Sequence, residues 1–169
     1  MAEARARELA LADAEQTRAW GRRLAVVLRA GDLVVLSGPL GAGKTTLAQG
    51  IGAGLGVRGQ VASPTFIIAR VHPSLTDGPA LVHVDAYRLG SLEELDALDL
   101  DASLEESVTL VEWGEGLAEV LSDDRLEIAL DRPHGAGKEP DGSDLGGSGV
   151  RRVTVRAVGP RWIGVVLPA

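Results

Sequence analysis

The 169-residue sequence contains no cysteine. Disulfide cross-links, Cys-ligated zinc and thiol redox chemistry are thereby excluded, and a reducing compartment fits. Asparagine is also missing, so the Asn-Lys-x-Asp element commonly used for guanine specificity cannot be built. Lysine is nearly absent: of 17 basic residues only Lys44 and Lys138 are lysines. Aromatic residues make up 3% of the chain and are confined to Trp20, Phe66, Tyr87, Trp113 and Trp162. No run approaches the roughly 20 apolar residues that a bilayer span requires. The first residues mix Glu3 and Glu8 with Arg5 and Arg7 instead of a basic segment followed by an apolar one. A cytoplasmic protein with no membrane contact is expected. Positive charge is short as well, the formal net charge being −7. Affinity for a phosphate backbone comes mainly from Lys and Arg, so DNA is not an expected partner, and any RNA would be held indirectly through another protein.

What is present suffices for one compact domain spanning residues 1–169, with 45% hydrophobic and 24% charged residues. Asp13 to Arg29 carries Trp20, Leu24, Val27 and Leu28 at helical spacing, with Asp13 as N-cap. Asp32 to Ser37 reads as a buried strand, and Lys44 to Leu55 as the helix that follows a Gly-rich turn. Strands are predicted at 66–71, 80–85, 108–112, 126–130 and 153–158. Helices are predicted from the Ser91/Glu94 capping box and around Leu117 to Leu121. Strands alternating with helices predict an α/β three-layer sandwich of the P-loop type, its sheet mostly parallel with antiparallel edge strands near the C-terminus. His134 to Gly149, rich in glycine, reads as a flexible surface loop.

The segment Gly38, Pro39, Leu40, Gly41, Ala42, Gly43, Lys44, Thr45 matches a phosphate-binding loop at every fixed position, between a strand and a helix. Glycines let successive N–H groups turn toward phosphate oxygens, and the helix N-terminus adds partial positive charge. In that frame Lys44 reaches the β- and γ-phosphates, Thr45 places its hydroxyl on Mg²⁺, and Thr46 bonds the α-phosphate. In a chain that otherwise uses Arg, a Lys here is informative, because a compact ammonium is what the site needs. Gly135, Ala136, Gly137, Lys138 imitates the loop, but position 132 is Arg and position 139 is Glu, whose carboxylate would face a phosphate, which argues against a second phosphate site.

A loop of this kind binds nucleotide without choosing a reaction. Two carboxylates close apolar strands: Asp85 after Leu81 to Val84, and Glu112 after Val108 to Val111. Ligands of open α/β sheets sit beyond the carboxyl ends of the strands, so both can face the phosphates; the alternative is an exposed or capping carboxylate. Ala62 to Phe66 is a hydroxyl-rich turn that reads either as a switch segment or as an ordinary Ser-Pro turn. Phe66, Tyr87 and Trp113 either wall the site, face a partner or fill a core otherwise built from Leu, Val and Ala.

The series GPLGAGKTT, SPTF, HVDAYRL and VEWGE, in this order and spacing, resembles the TsaE family, formerly called YjeE, over Thr17 to Leu130. The resemblance implies a small Mg²⁺-dependent ATPase acting with the TsaD and TsaB proteins in bacterial threonylcarbamoyladenosine modification of tRNA. It implies that Gly41, Ala42, Gly43, Lys44, Thr45 and Thr46 hold the phosphates and that Thr45 and Glu112 ligate Mg²⁺. It further implies that Lys44, Asp85 and Glu112 serve hydrolysis, that Ser63, Pro64 and Thr65 form a switch, that Trp113 lies near the nucleotide, and that Thr17 lies near the base. The Gly-rich insertion before Val150 is longer than the family pattern and leaves Arg151 and Arg152 without an assigned role. The shared loop alone also admits a small-molecule kinase, with Arg125, Arg132, Arg151 and Arg152 as a lid, or a nucleotide-gated interaction module without turnover.

Overall fold

Leu33, Val34, Val35 and Leu36 are all buried, so the strand they form has no solvent-facing side and belongs in the middle of a sheet. It lies there in the computed structural model, which describes residues 5–39, 42–59, 61, 69–85, 104–112, 122–131 and 148–169. In chain order the elements are β1 (Arg5–Asp13), α1 (Ala14–Ala25), β2 (Leu33–Ser37), α2 (Lys44–Leu55), β3 (Ala69–His72), β4 (Ala80–Asp85), β5 (Ser107–Glu112), β6 (Arg125–Asp131) and β7 (Ser148–Val158), followed by a 3₁₀ turn at Pro160–Trp162. The strands form one seven-stranded sheet in the order β1-β7-β6-β2-β5-β4-β3. Its four inner strands, β6, β2, β5 and β4, run parallel. Among the described residues no helix is long and apolar enough to cross a membrane.

The expected α/β architecture is borne out, with two additions. Antiparallel pairing occurs on both sides of the parallel core: β7 on β6 and β1 on β7 at one edge, β3 on β4 at the other. The N-terminal strand β1 was not expected, because its alternation is carried by alanine against Leu and Arg and gives little apolar contrast. Helix α1 starts at the predicted cap, where Asp13 accepts from the Gln16 N–H at 2.8 Å, but ends at Ala25 instead of reaching Arg29. Val26, Val27 and Leu28 instead bond three residues back, a tightened exit. Ser148 and Gly149, expected in the loop, open β7. Residues 134–147 of that loop, the predicted helices near Ser91 and Leu117, and the first three residues of the strand predicted at 66–71 lie outside the described residues.

The face of the sheet bearing Val34, Leu36, Leu81, Leu110 and Ile128 packs against Trp20 and Leu24 of α1 and Leu47 and Ile51 of α2 in one core. On the other face Val35, Val82, Val84 and Val111 are buried too, as the middle layer of a sandwich requires. The two helices approach closely because Gly21 and Gly50 carry no side chain at the crossing. A Cβ on Gly21 would stand 2.8 Å from the Leu47 carbonyl oxygen, and one on Gly50 would strike the Arg18 carbonyl oxygen. The approach holds α2, and with it the loop that precedes it, against the sheet. A C-terminal tail closes the other side of α1: Trp20 Nε1 donates to the Pro168 carbonyl at 3.2 Å, and Arg23 Nη2 to that of Ala169 at 3.0 Å.

Candidate functional site

The Gly-rich segment leaves the carboxyl end of the central strand β2 and enters α2 with no side-chain cap and no acidic residue in its first turn. The first N–H groups of a helix have no intrahelical partner, so this end presents donors and positive potential to an anion. Gly43, the N-cap, sits at φ +107, a conformation that favours glycine. Gly38 is at φ +139, and a Cβ there would run into the Leu130 carbonyl oxygen, so the chain can turn back only at a residue without a side chain. Lys44 is buried; its Nζ donates to the Gly38 carbonyl and, at 3.3 Å, to that of Pro39, folding the ammonium along the inside of the loop. Ala42 is buried, and Thr45 and Thr46 are partly exposed in the first turn of α2. Gly41, together with Leu40, lies outside the described residues.

Strand register brings the two carboxylates beside this loop. Asp85 pairs with Glu112 at the ends of β4 and β5, and Glu112 pairs with Leu36, next to the last residue of β2. Both therefore occupy the carboxyl edge of the parallel core, on the face that α2 covers, as expected for ligands of an open α/β sheet. Asp85 is partly exposed, whereas Glu112 is 3% exposed. Thr17 belongs instead to α1, where it is buried and its hydroxyl donates to the Asp13 carbonyl at 2.9 Å. Ser63, Pro64, Thr65, Phe66, Tyr87 and Trp113 lie outside the described residues.

Two residues acquire a place that the sequence did not give them. His83, two positions before Asp85, is fully buried and donates from Nε2 to Glu112 Oε2 at 2.7 Å. Arg151 is fully buried on β7 and backs the loop: a Cβ on residue 43 would lie 3.0 Å from its Nε. The signal for His83 was present, since a polar residue at an apolar position of a two-sided strand needs a partner. For Arg151 there was none, because the approach of β7 to the loop is set by sheet order. Of the arginines expected as a lid for an acceptor substrate, Arg151 is enclosed, Arg125 bonds Glu127 on its own strand at 2.9 Å, and Arg152 is exposed on β7. Arg132 lies outside the described residues.

Away from this edge, His72 on β3 pairs with Leu81 near the start of β4, is 3% exposed and donates from Nδ1 to the Arg58 carbonyl at 3.2 Å. Burial holds its pKa below the ordinary 6.5, opposed by the bond to Arg58 and reinforced by the nearby His83 and Arg70. An unfolded chain takes up the proton first as pH falls, so this contribution to stability is complete above pH 6.5 and is lost as pH drops below it. Thermal melts of His72→Gln are expected to show a flatter loss between about pH 7.5 and about pH 5.5, by at most about 1.4 kcal/mol per pH unit for one proton.

Residues 11–139 match the family model described as threonylcarbamoyl adenosine biosynthesis protein TsaE. A Streptomyces coelicolor protein named tRNA threonylcarbamoyladenosine biosynthesis protein TsaE is 63% identical over 146 residues, covering 86% of this chain and 93% of its own. A Bacillus subtilis protein of the same name is 36% identical over 150 residues, covering 88% and 84%. The crystal structure of Bacillus subtilis YdiB superposes with a TM-score of 0.69 at 29% identity, covering 96% of this chain and 93% of that one.

Proposed function

From the premise that the chain belongs to the TsaE family, we propose that it is the ATPase of threonylcarbamoyladenosine biosynthesis on tRNA, working in the cytoplasm with the TsaD and TsaB proteins. The observation that carries this reading is the meeting, at one sheet edge, of an uncapped helix N-terminus, Lys44 and two register-paired carboxylates. A phosphate chain laid along the loop takes its donors from the first turn of α2 and exchanges the Lys44 contacts with Gly38 and Pro39 for phosphate oxygens. Ser63, Thr65 and Trp113 complete the nucleotide site in this reading, and Thr17 approaches the base.

The donor set fits Mg²⁺. Thr45 and Glu112 supply the hard oxygen ligands this ion takes, and Mg²⁺ sites of this class are completed by water and substrate phosphates. Among the described residues no group of three His, Asp or Glu side chains is placed to hold a metal ion alone. When bound it neutralises charge on the β- and γ-phosphates. The work of the protein is then positional: Lys44 holds the phosphoryl oxygens and Asp85 orients water. The acidity of the chain supports a division of labour in which the partners hold the tRNA.

The test is Mg²⁺-dependent ATP hydrolysis by the purified chain, alone and with TsaD and TsaB. Slow turnover alone, stimulation by the partners, and a fall of about 10²-fold or more in Asp85→Asn and Glu112→Ala are expected. Consumption of ATP only with a small-molecule acceptor would make the protein a kinase. Nucleotide-dependent partner binding that Asp85→Ala leaves intact, with no turnover, would make it an interaction module.

A further inference from the structure

The helix-side positions of β4 and β5 are apolar at Leu81, Val108 and Leu110, then change character toward the carboxyl edge at His83, Asp85 and Glu112. His83 has no exposed surface and the Glu112 side chain has 4%. Replacing such a pair with well-packed apolar residues is often neutral or stabilising, so a His–Glu pair inside a Leu and Val core is weakly explained by stability alone. Its location is specific: the carboxylate it engages is the one that closes β5 beside β2 and the loop. The geometry is also one-sided. Nε2 donates to Oε2, while among the described residues Nδ1 is buried with no hydrogen-bond partner, so a proton placed on Nδ1 would find no acceptor there.

Resting on the ATP and Mg²⁺ reading above, we propose that His83 is the positioning residue of Glu112, fixing one carboxylate oxygen so that the other is held ready for the nucleotide-bound Mg²⁺. A glutamate side chain at a strand end has three rotatable bonds, and binding through one oxygen requires the carboxylate plane to be set in advance. The enclosed imidazole on the neighbouring strand has little freedom of its own and supplies that restraint. Partners that orient metal ligands in this way typically change metal affinity by about 10–100-fold when removed. His83 is distinct from the ligands themselves: it touches neither phosphate nor metal in this arrangement and acts only through Glu112.

The experiment is a titration of a fluorescent ATP analogue into the full chain, in excess chelator and across Mg²⁺ concentrations, for wild type, His83→Leu and His83→Gln. In His83→Leu the Mg²⁺ concentration for half-maximal tightening is expected to rise about 10–100-fold, with affinity in chelator within about twofold of wild type. His83→Gln keeps an N–H donor at similar reach and is expected to recover most of that shift. Equal loss of affinity with and without Mg²⁺, or unchanged Mg²⁺ dependence in folded His83→Leu, would overturn the assignment. A second readout needs no altered core: in wild-type protein labelled with ¹⁵N-histidine, the His83 signals should show the proton on Nε2 and shift on adding Mg²⁺ with nucleotide but not with nucleotide alone. A proton resident on Nδ1 in place of Nε2 would overturn the assignment independently. Wild-type protein that binds no nucleotide in either condition would overturn both this proposal and the ATPase reading, whereas normal wild-type binding with an indifferent His83→Leu overturns this proposal alone.

Discussion

Lys44→Ala is expected to lower ATP turnover by about 10²–10³-fold, the usual consequence of removing one charged donor from a preorganised site. Lys44→Arg is expected to fail nearly as badly. Lys44 is 6% exposed and its ammonium lies along the Gly38 and Pro39 carbonyls, a channel suited to a compact head on a flexible stem. A planar guanidinium carries five donors in a rigid fork and needs more width than that fold-back allows. The comparison is pointed in a chain where nearly every other cation is already arginine. Steady-state hydrolysis in the presence of the partner proteins, with melting temperatures as the control for folding, provides the check. Turnover in Lys44→Arg within about threefold of wild type would mean that position 44 needs only positive charge, contrary to the geometric argument.

The second large effect concerns stability. Asp32, just before β2, is 4% exposed and receives Arg161 in a two-point bond, Nε to Oδ1 at 2.9 Å and Nη2 to Oδ2 at 3.0 Å. The same carboxylate accepts the Arg29 N–H at 2.8 Å, and Arg161 Nη2 also donates to the Val27 carbonyl. The pair therefore ties the C-terminal turn to the exit of α1 and the entry of β2. Asp32→Ala leaves a largely enclosed guanidinium without its counter-charge, and about 3–5 kcal/mol of stability is expected to be lost. For a chain of this size that corresponds to a fall in Tm on the order of 10 °C. The double substitution Asp32→Ala with Arg161→Leu should recover part of the loss, because no charge is then stranded. Additive losses in the double variant would show that packing of the two stems, and not their charges, holds the tail.

These two sites differ in how far they could be read before folding. The Gly-rich loop is a contiguous pattern: three glycines and a lysine fall within the eight residues Gly38 to Thr45, so its spacing is written in consecutive letters. Asp85 and Glu112 were legible for a related reason, each closing an apolar run that had to be a buried parallel strand. β1 was not legible, since its pattern is weak and its partner β7 lies at the other end of the chain.

The sequence by itself thus determined the loop, the cap of α1, the inner strands and the family pattern. Tertiary structure alone decided which distant side chains meet. His83 and Glu112 are separated by 29 residues and meet only because β4 and β5 pair in a register that aligns their ends. Arg151 reaches Gly43 only because β7 is placed beside β6. Asp32 and Arg161, 129 residues apart, meet only when the tail folds back. Local conformational preference specifies contiguous elements, whereas contacts across a sheet depend on strand order and register, which follow from the burial of the whole apolar set.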